Sequence, residues 1–232
     1  WYVTGIKVNF CNTVASNACG WWKITNGRVD FDFSGLAENA YGWWKITNGQ
    51  VDFSYVGYEQ NGSNWWYVYG GQVCFQATDV LPGTVGGQYG WWKVCEGKVN
   101  FDDDVCENAY GWWKITTGKV DFQYTGLAQN ACGWWMIQNG HVNFGSNGLV
   151  DNGNGWWLVR NGGVDFNYNG LVDNGNGWWL IRNGYVDFNY NGLVDNGNGW
   201  WLVKNGCVDF SYQGYVQNEC GVWWVSNGQV QF

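Results

Sequence analysis

Apolar and polar residues recur along this chain with a long period that divides into short strand-like pieces. Each period reads G-W-W-x-[IV]-x-N-G-x-V-D-F-x-Y-x-G-L, followed by a short polar stretch. Ten Trp-Trp pairs mark it, starting at 21, 43, 65, 91, 112, 134, 156, 178, 200 and 223. Most steps are 22 residues. Four extra residues fall in 76–89, around the only proline, Pro82, and one is missing between Phe101 and Gly111. In the final period Val222 replaces the first Trp, and Trp224 stands where Leu202 stands one period earlier. The irregularities predict two regular arrays, 1–75 and 90–232, joined by an irregular junction at 76–89 within one continuous solenoid.

Asn-Gly between alternating apolar runs specifies a type I′ hairpin turn, because both central residues need positive φ. Seven periods carry it, at Asn26, Asn48, Asn139, Asn161, Asn183, Asn205 and Asn227. Gly70-Gly71, Glu96-Gly97 and Thr117-Gly118 fill the same slot elsewhere, and Gly5-Ile6 suits a type II′ turn. The turn sets the register: Thr25 opposite Arg28, Ile24 opposite Val29, Lys23 opposite Asp30, Trp22 opposite Phe31. Side chains alternate along a strand, which places Trp22, Ile24, Val29, Phe31 and Phe33 on one apolar face and Trp21, Lys23 and Asp30 on the other. Leu158, Leu180 and Leu202 take the Lys position in later periods, so the second face becomes more apolar toward the C-terminus. One period buries too little apolar surface to offset the ordering of its own residues, and its neighbours must supply the rest. The pattern therefore predicts an all-β fold, a solenoid of eleven stacked β-hairpins from a 22-residue repeat.

The motif G-W-x-x-x-N-G-x-V-D-F resembles the choline-binding and related cell-wall-binding repeats of bacterial surface proteins, over essentially the whole chain. Aligned on Asn-Gly, Trp22 and its counterparts Trp44, Trp66, Trp92, Trp113, Trp135, Trp157, Trp179, Trp201 and Trp223 match the family Trp, and Phe31 matches a family Tyr. The resemblance implies a β-hairpin solenoid in which successive hairpins contribute aromatic faces to a box that holds choline by cation–π attraction. Val29 stands where the family has a further Trp, so what it implies here is a surface-attached repeat module rather than choline recognition specifically.

Composition narrows the function. The 21 Trp, 14 Tyr and 12 Phe exclude a disordered chain. No run approaches the roughly 20 apolar residues of a membrane-spanning helix, so membrane insertion is not expected. A net charge of −8 repels phosphate backbones and argues against nucleic acid. The single His141 rules out histidine-based triads, and acidic residues that recur in column share one environment, unlike a glycosidase pair. The chain reads as a non-enzyme. No basic stretch followed by an apolar run opens it, so an export signal is expected to have been removed already.

The first Trp column, Trp21, Trp43, Trp65, Trp91, Trp112, Trp134, Trp156, Trp178 and Trp200, is the candidate ligand contact. A flat ring covers the apolar face of a sugar while Lys23, Asp30 and their counterparts bond hydroxyls. The alternative, favoured by the commonness of buried aromatics, is that this column packs between adjacent hairpins. Asp165-x-Asn167-x-Asn169-Gly170-x-x-Asp173 and Asp187-x-Asn189-x-Asn191-Gly192-x-x-Asp195 match the opening of an EF-hand loop and make calcium a candidate cofactor. The closing Glu is Asn176 or Asn198, however, and turn formers explain the same residues. Asn61-Gly62-Ser63 matches a glycosylation sequon. Eight cysteines point to an oxidising, extracellular setting, with Cys11–Cys19 as the one local disulfide expected.

The function expected is a non-catalytic module on the bacterial cell surface that grips cell-wall polymer or host glycan through serial Trp sites. The alternative is a structural subunit of an extracellular filament or stalk, assembled head to tail by hairpin stacking.

Overall fold

The computed structural model describes residues 1–232 and contains strands and turns but no helix. It divides into two compact units, Trp1–Asp121 and Phe122–Phe232. In both, the repeat is a three-stranded piece. In the first unit, Gly35–Asn39 pairs with Gly42–Thr47 over five positions, and Gly42–Thr47 pairs with Gln50–Val51 over two. In the second unit, Gly170–Asp173 pairs with Trp178–Arg182, which pairs with Tyr185–Val186. The Asn-Gly register is the expected one, Ile24 opposite Val29 and Thr25 opposite Arg28. The polar stretch that closes each period forms much of a further strand, whose ladder is longer than that of the Asn-Gly hairpin.

The turn residues behave as their chemistry requires. Asn26 and Gly27 have φ of 46° and 71°, and Asn183 and Gly184 have 51° and 76°. Glu96 and Thr117 are forced into the same left-handed region, at 49° and 47°. The turn also joins one repeat to the one before. Gly49 N donates to Phe33 O at 2.8 Å, and Lys23 N donates to Gly49 O at 2.8 Å. A small polar side chain caps the next turn fourteen residues on: Ser34 Oγ accepts from Asn48 N at 3.0 Å, and Asn169 Oδ1 from Asn183 N at 3.0 Å. Within each unit the second strand of a repeat pairs with the third strand of the following one, as Trp22 does with Gln50 and Trp179 with Cys207. Backbone hydrogen bonds thus run along each unit as a β-hairpin solenoid, consistent with units that depend on their neighbours.

The core lies between repeats. Leu158 packs with Ile181 and Val186 of the next repeat, Leu180 with Val203 and Val208, and Leu202 with Val225 and Val230. An interior repeat of either unit is therefore a slab buried on both faces, one against its predecessor and one against its successor. Two details of the expected faces change. Phe31 is 63% exposed and rims its cluster instead of filling the interior. Phe33 lies beside Lys23, whose Nζ is 5.5 Å from the ring, because the chain turns between Asp30 and Phe33 and breaks the alternation.

Residues 76–89, expected as an irregular junction, belong largely to the longest ladder of the chain. Asp79–Val85 pairs with Gln88–Cys95 at seven positions across Gly86-Gly87. The extra residues lengthen both arms, and Tyr58 anchors the insertion by donating its hydroxyl to Leu81 O at 2.9 Å.

The cysteines are free thiols, Cys11 and Cys19 included, which corrects the expected disulfide. Thr13 faces Ile24 and Asn17 faces Gly20, so Cys19 sits at the tip of the ladder and Cys11 beyond its far end. At about 3.3 Å per residue they are on the order of 20 Å apart, well outside bridging range.

Candidate ligand-binding clusters at the repeat junctions

The nine residues of the first Trp column are all half-buried. Within each unit these residues point from their own repeat toward the next, where they meet the second Trp and, at the complete sites, the Phe nine residues after that Trp. Trp21 lies 5.2 Å from Trp44 and 6.2 Å from Phe53, between ring centroids. Trp43 meets Trp66 at 5.1 Å and Phe75 at 5.7 Å. In the second unit Trp156 meets Trp179 and Phe188 at 5.0 and 6.1 Å, and Trp178 meets Trp201 and Phe210 at 4.9 and 5.8 Å. Other members contribute fewer rings: Trp91 touches Trp113 and Tyr110, Trp134 stacks on Trp157, and Trp200 meets Trp223. Trp65 packs in the cluster around Tyr58 and Trp92.

The column, read as a ligand platform or as packing between adjacent hairpins, is at the complete sites one wall of a three-ring cluster whose other walls come from the following repeat. Strand alternation places the second Trp and the Phe on the apolar face, and the resemblance places them at the family's aromatic positions. Their fixed spacing of nine, Trp44 to Phe53 and Trp201 to Phe210, was the available signal. The valine at the family's additional Trp position removes no wall, since Val51 and its counterparts lie in the core and the Phe provides the third ring.

Indole N–H groups divide the clusters. Trp44, Trp113 and Trp223 donate to Asn39, Asn108 and Asn218 at 2.9 to 3.0 Å. Trp43 donates to Glu38 at 2.9 Å. The indole nitrogens of Trp66, Trp157, Trp179 and Trp201 are buried without a partner. The three later ones follow the sequence Asp-Asn-Gly-Asn-Gly, where the strand stops one residue sooner and Asn152 turns its oxygen to Asn154 N at 3.0 Å.

Several charged groups are engaged internally. Arg160 stacks 4.3 Å over Tyr168 and pairs with Asp165 at 3.2 Å, and Arg182 with Tyr190 and Asp187 repeats this at 4.5 and 3.4 Å. Lys45 pairs across the junction with Glu59 at 2.8 Å, and Lys93 with Asp104 at 2.6 Å. Burial acts to raise the Asp104 pKa, but the hydrogen bonds from Lys93, Val105 N and Cys106, together with the Lys93 charge, outweigh it and hold the carboxyl below its ordinary value. The hydrogen bond from Thr117 N lowers Asp103. The EF-hand-like residues are spent on turns, Asp165 Oδ1 on Asn167 N and Asp173 Oδ1 on Gly175 N, and no three His, Cys, Asp or Glu side chains converge.

A family model described as the choline-binding repeat matches residues 32–52, 54–74, 123–143, 145–165, 167–187 and 189–209, together just over half of the chain. No curated protein matches it in sequence. Similar solved structures include crystal form II of choline binding protein F from Streptococcus pneumoniae, at 17% identity, TM-score 0.35, covering 89% of this chain and 76% of that one. The same protein in the presence of a peptidoglycan analogue gives 13% identity and TM-score 0.33 over 95% and 93%. An alternansucrase in complex with isomaltononaose gives 12% and 0.33, over 95% of this chain and 16% of that one.

Proposed function

The chain belongs to the choline-binding repeat family, and on that premise we propose that it is a non-catalytic, cell-surface module that holds cell-wall polymer at serial aromatic clusters. The group held is a quaternary ammonium such as choline. The observation that carries this reading is the recurrence of a Trp–Trp–Phe triad across successive repeats, such as Trp178, Trp201 and Phe210. A cation over an aromatic face gains about 0.5–2 kcal/mol per ring, so a three-ring site gives a dissociation constant on the order of 1 mM. Several such sites on one chain, meeting several substituents on one polymer, convert weak contacts into useful avidity. The rings touch one another, and the half-exposed Phe is the wall free to move aside as the ligand seats.

The test is titration with choline against intrinsic Trp fluorescence, together with retention on a choline-bearing resin. Phe53→Leu combined with Phe210→Leu leaves both Trp walls in place and should weaken retention by roughly tenfold. Unchanged retention, or equal response to neutral neopentyl alcohol, rejects the reading. A second reading, in which the columns are purely structural, is favoured by the half-burial of all nine first-column Trp residues. It predicts altered stability in the Phe variants and no choline response in any form of the protein.

A further inference from the structure

The first unit has a cleft of about 330 Å³ that shares only Trp43 with the aromatic triads, lined by Lys23, Phe33, Ala37, Glu38, Trp43 and Asn61 among others. We propose that this cleft binds the ring of a carboxylated sugar, a uronic acid, with Lys23 taking the carboxylate. The proposal does not rest on choline recognition at the triads, since the groups that select the acid, Lys23 and Asn61, belong to none of them.

Three observations converge on it. The first is a missing counterion. Lys45, Lys93 and Lys114 occupy the same place in their repeats as Lys23, and they have carboxylate oxygens at 2.8, 2.6 and 3.6 Å. Lys23 has none. Its half-buried Nζ donates only to Ile24 O at 2.9 Å, because Ala37 stands where Glu59 stands opposite Lys45. A partly desolvated ammonium without an anion is a site for one.

The second is an open clasp. In two other repeats of the unit an Asn closes the groove by donating to the preceding repeat, Asn39 to Val14 O at 3.1 Å and Asn108 to Val80 O at 3.2 Å. The same Asn accepts the indole N–H of its own repeat. Asn61 does neither. Leu36, the counterpart of Val14, receives no such bond, and Trp66 is 8% exposed with an unpartnered indole nitrogen. The cause lies in the turn. Gly42 and Gly111 adopt φ of 134° and 135° just before their Trp pairs, where this repeat has Asn64, and a side chain rarely enters that region. The Asn61–Asn64 turn therefore takes another shape, and the Asn61 amide is left exposed at the cleft.

The third is the mixture of walls. Trp43 and Phe33 supply apolar faces for a pyranose ring, and Glu38, with one oxygen held by Trp43 Nε1, keeps the other to accept a hydroxyl. The Asn61 amide donates and accepts. An apolar acid would leave these polar groups unmatched, and a neutral sugar would leave Lys23 without its anion. The volume suits one hexuronic acid.

The experiment is calorimetric titration of the full chain with D-galacturonate, with galactose and acetate in parallel and choline fluorescence as a separate readout. Galacturonate should bind once per chain and at least tenfold more tightly than galactose or acetate. Lys23→Gln should weaken it by at least tenfold. Ala37→Glu should do the same by supplying the counterion internally, as Glu59 does for Lys45. The choline response should be the same in both variants. Equal affinity for the three compounds, more than one galacturonate per chain, or full binding in a folded Ala37→Glu variant overturns the proposal. Loss of choline response with galacturonate binding intact counts against the triads alone.

Discussion

Leu180 and Val194 face each other across a repeat junction fourteen residues apart, the same separation as Lys45 and Glu59. If the junctions are equivalent, an ion pair can be transplanted. Leu180 is 3% exposed, and its conversion to Lys forfeits about 2 kcal/mol of burial. The ammonium, placed among Val203, Val208 and Trp201 without a partner, adds a further penalty of about 2–3 kcal/mol. Val194→Glu alone should also destabilise, by about 2–3 kcal/mol, as an unpaired carboxylate beside the same side chains. The double variant restores the pair at a half-buried site, where Lys45 and Glu59 side chains are 12% and 21% exposed. It should recover about 2–3 kcal/mol relative to the sum of the singles. Urea unfolding followed by Trp fluorescence measures all three. Simple additivity, with a coupling below about 0.5 kcal/mol, would show that these positions do not oppose each other and would refute the face-to-face register between repeats.

Gly184 carries both a positive φ and a close approach, since a methyl there would lie 2.5 Å from Asp165 O. Gly184→Ala should cost more than about 2 kcal/mol, whereas Gly175→Ala, at φ 84° in open space, should cost only about 1 in the same urea assay. Thr117 is a β-branched residue at φ 47°. Thr117→Asn keeps its backbone bond to Asp103 and should raise stability by about 1 kcal/mol, read as a higher urea midpoint. Asp104 has its pKa lowered by Lys93. The stability from that pair is fully present above the ordinary carboxylate pKa of about 4 and is lost as pH falls through the lower folded value. The gap in melting temperature between the protein and Asp104→Asn should therefore be constant at neutral pH and close below about pH 4.

Much of the fold was legible because the turn chemistry is strict. Asn-Gly demands one backbone geometry, and that geometry fixes which residues oppose one another, as Ile24 and Val29 do. The strand Gly35–Asn39 was missed because Gly-Leu-Ala-Glu-Asn has little β-propensity of its own and is held by pairing with the Trp strand. The bend at Asp30–Phe33 was missed for a related reason. A hydrogen bond across the turn, not the apolar pattern, decides the face on which Phe33 emerges. The disulfide expectation counted residues between Cys11 and Cys19 without asking where the ladder would carry them. The candidate site was half legible. The first Trp column could be named from its period, but its partners Trp44 and Phe53 belong to the next repeat, and only the stacking of repeats brings them to Trp21. The cleft at Lys23 could not be read at all, since it depends on a carboxylate absent from Ala37's position and on the altered turn at Asn61.

The most direct measurement is a crystal structure of the protein grown with choline. The account predicts one trimethylammonium group at each complete triad, Trp21–Trp44–Phe53, Trp43–Trp66–Phe75, Trp156–Trp179–Phe188 and Trp178–Trp201–Phe210, with the Phe ring displaced to admit it. Density for choline elsewhere, or four triads unchanged at saturating ligand, would contradict it.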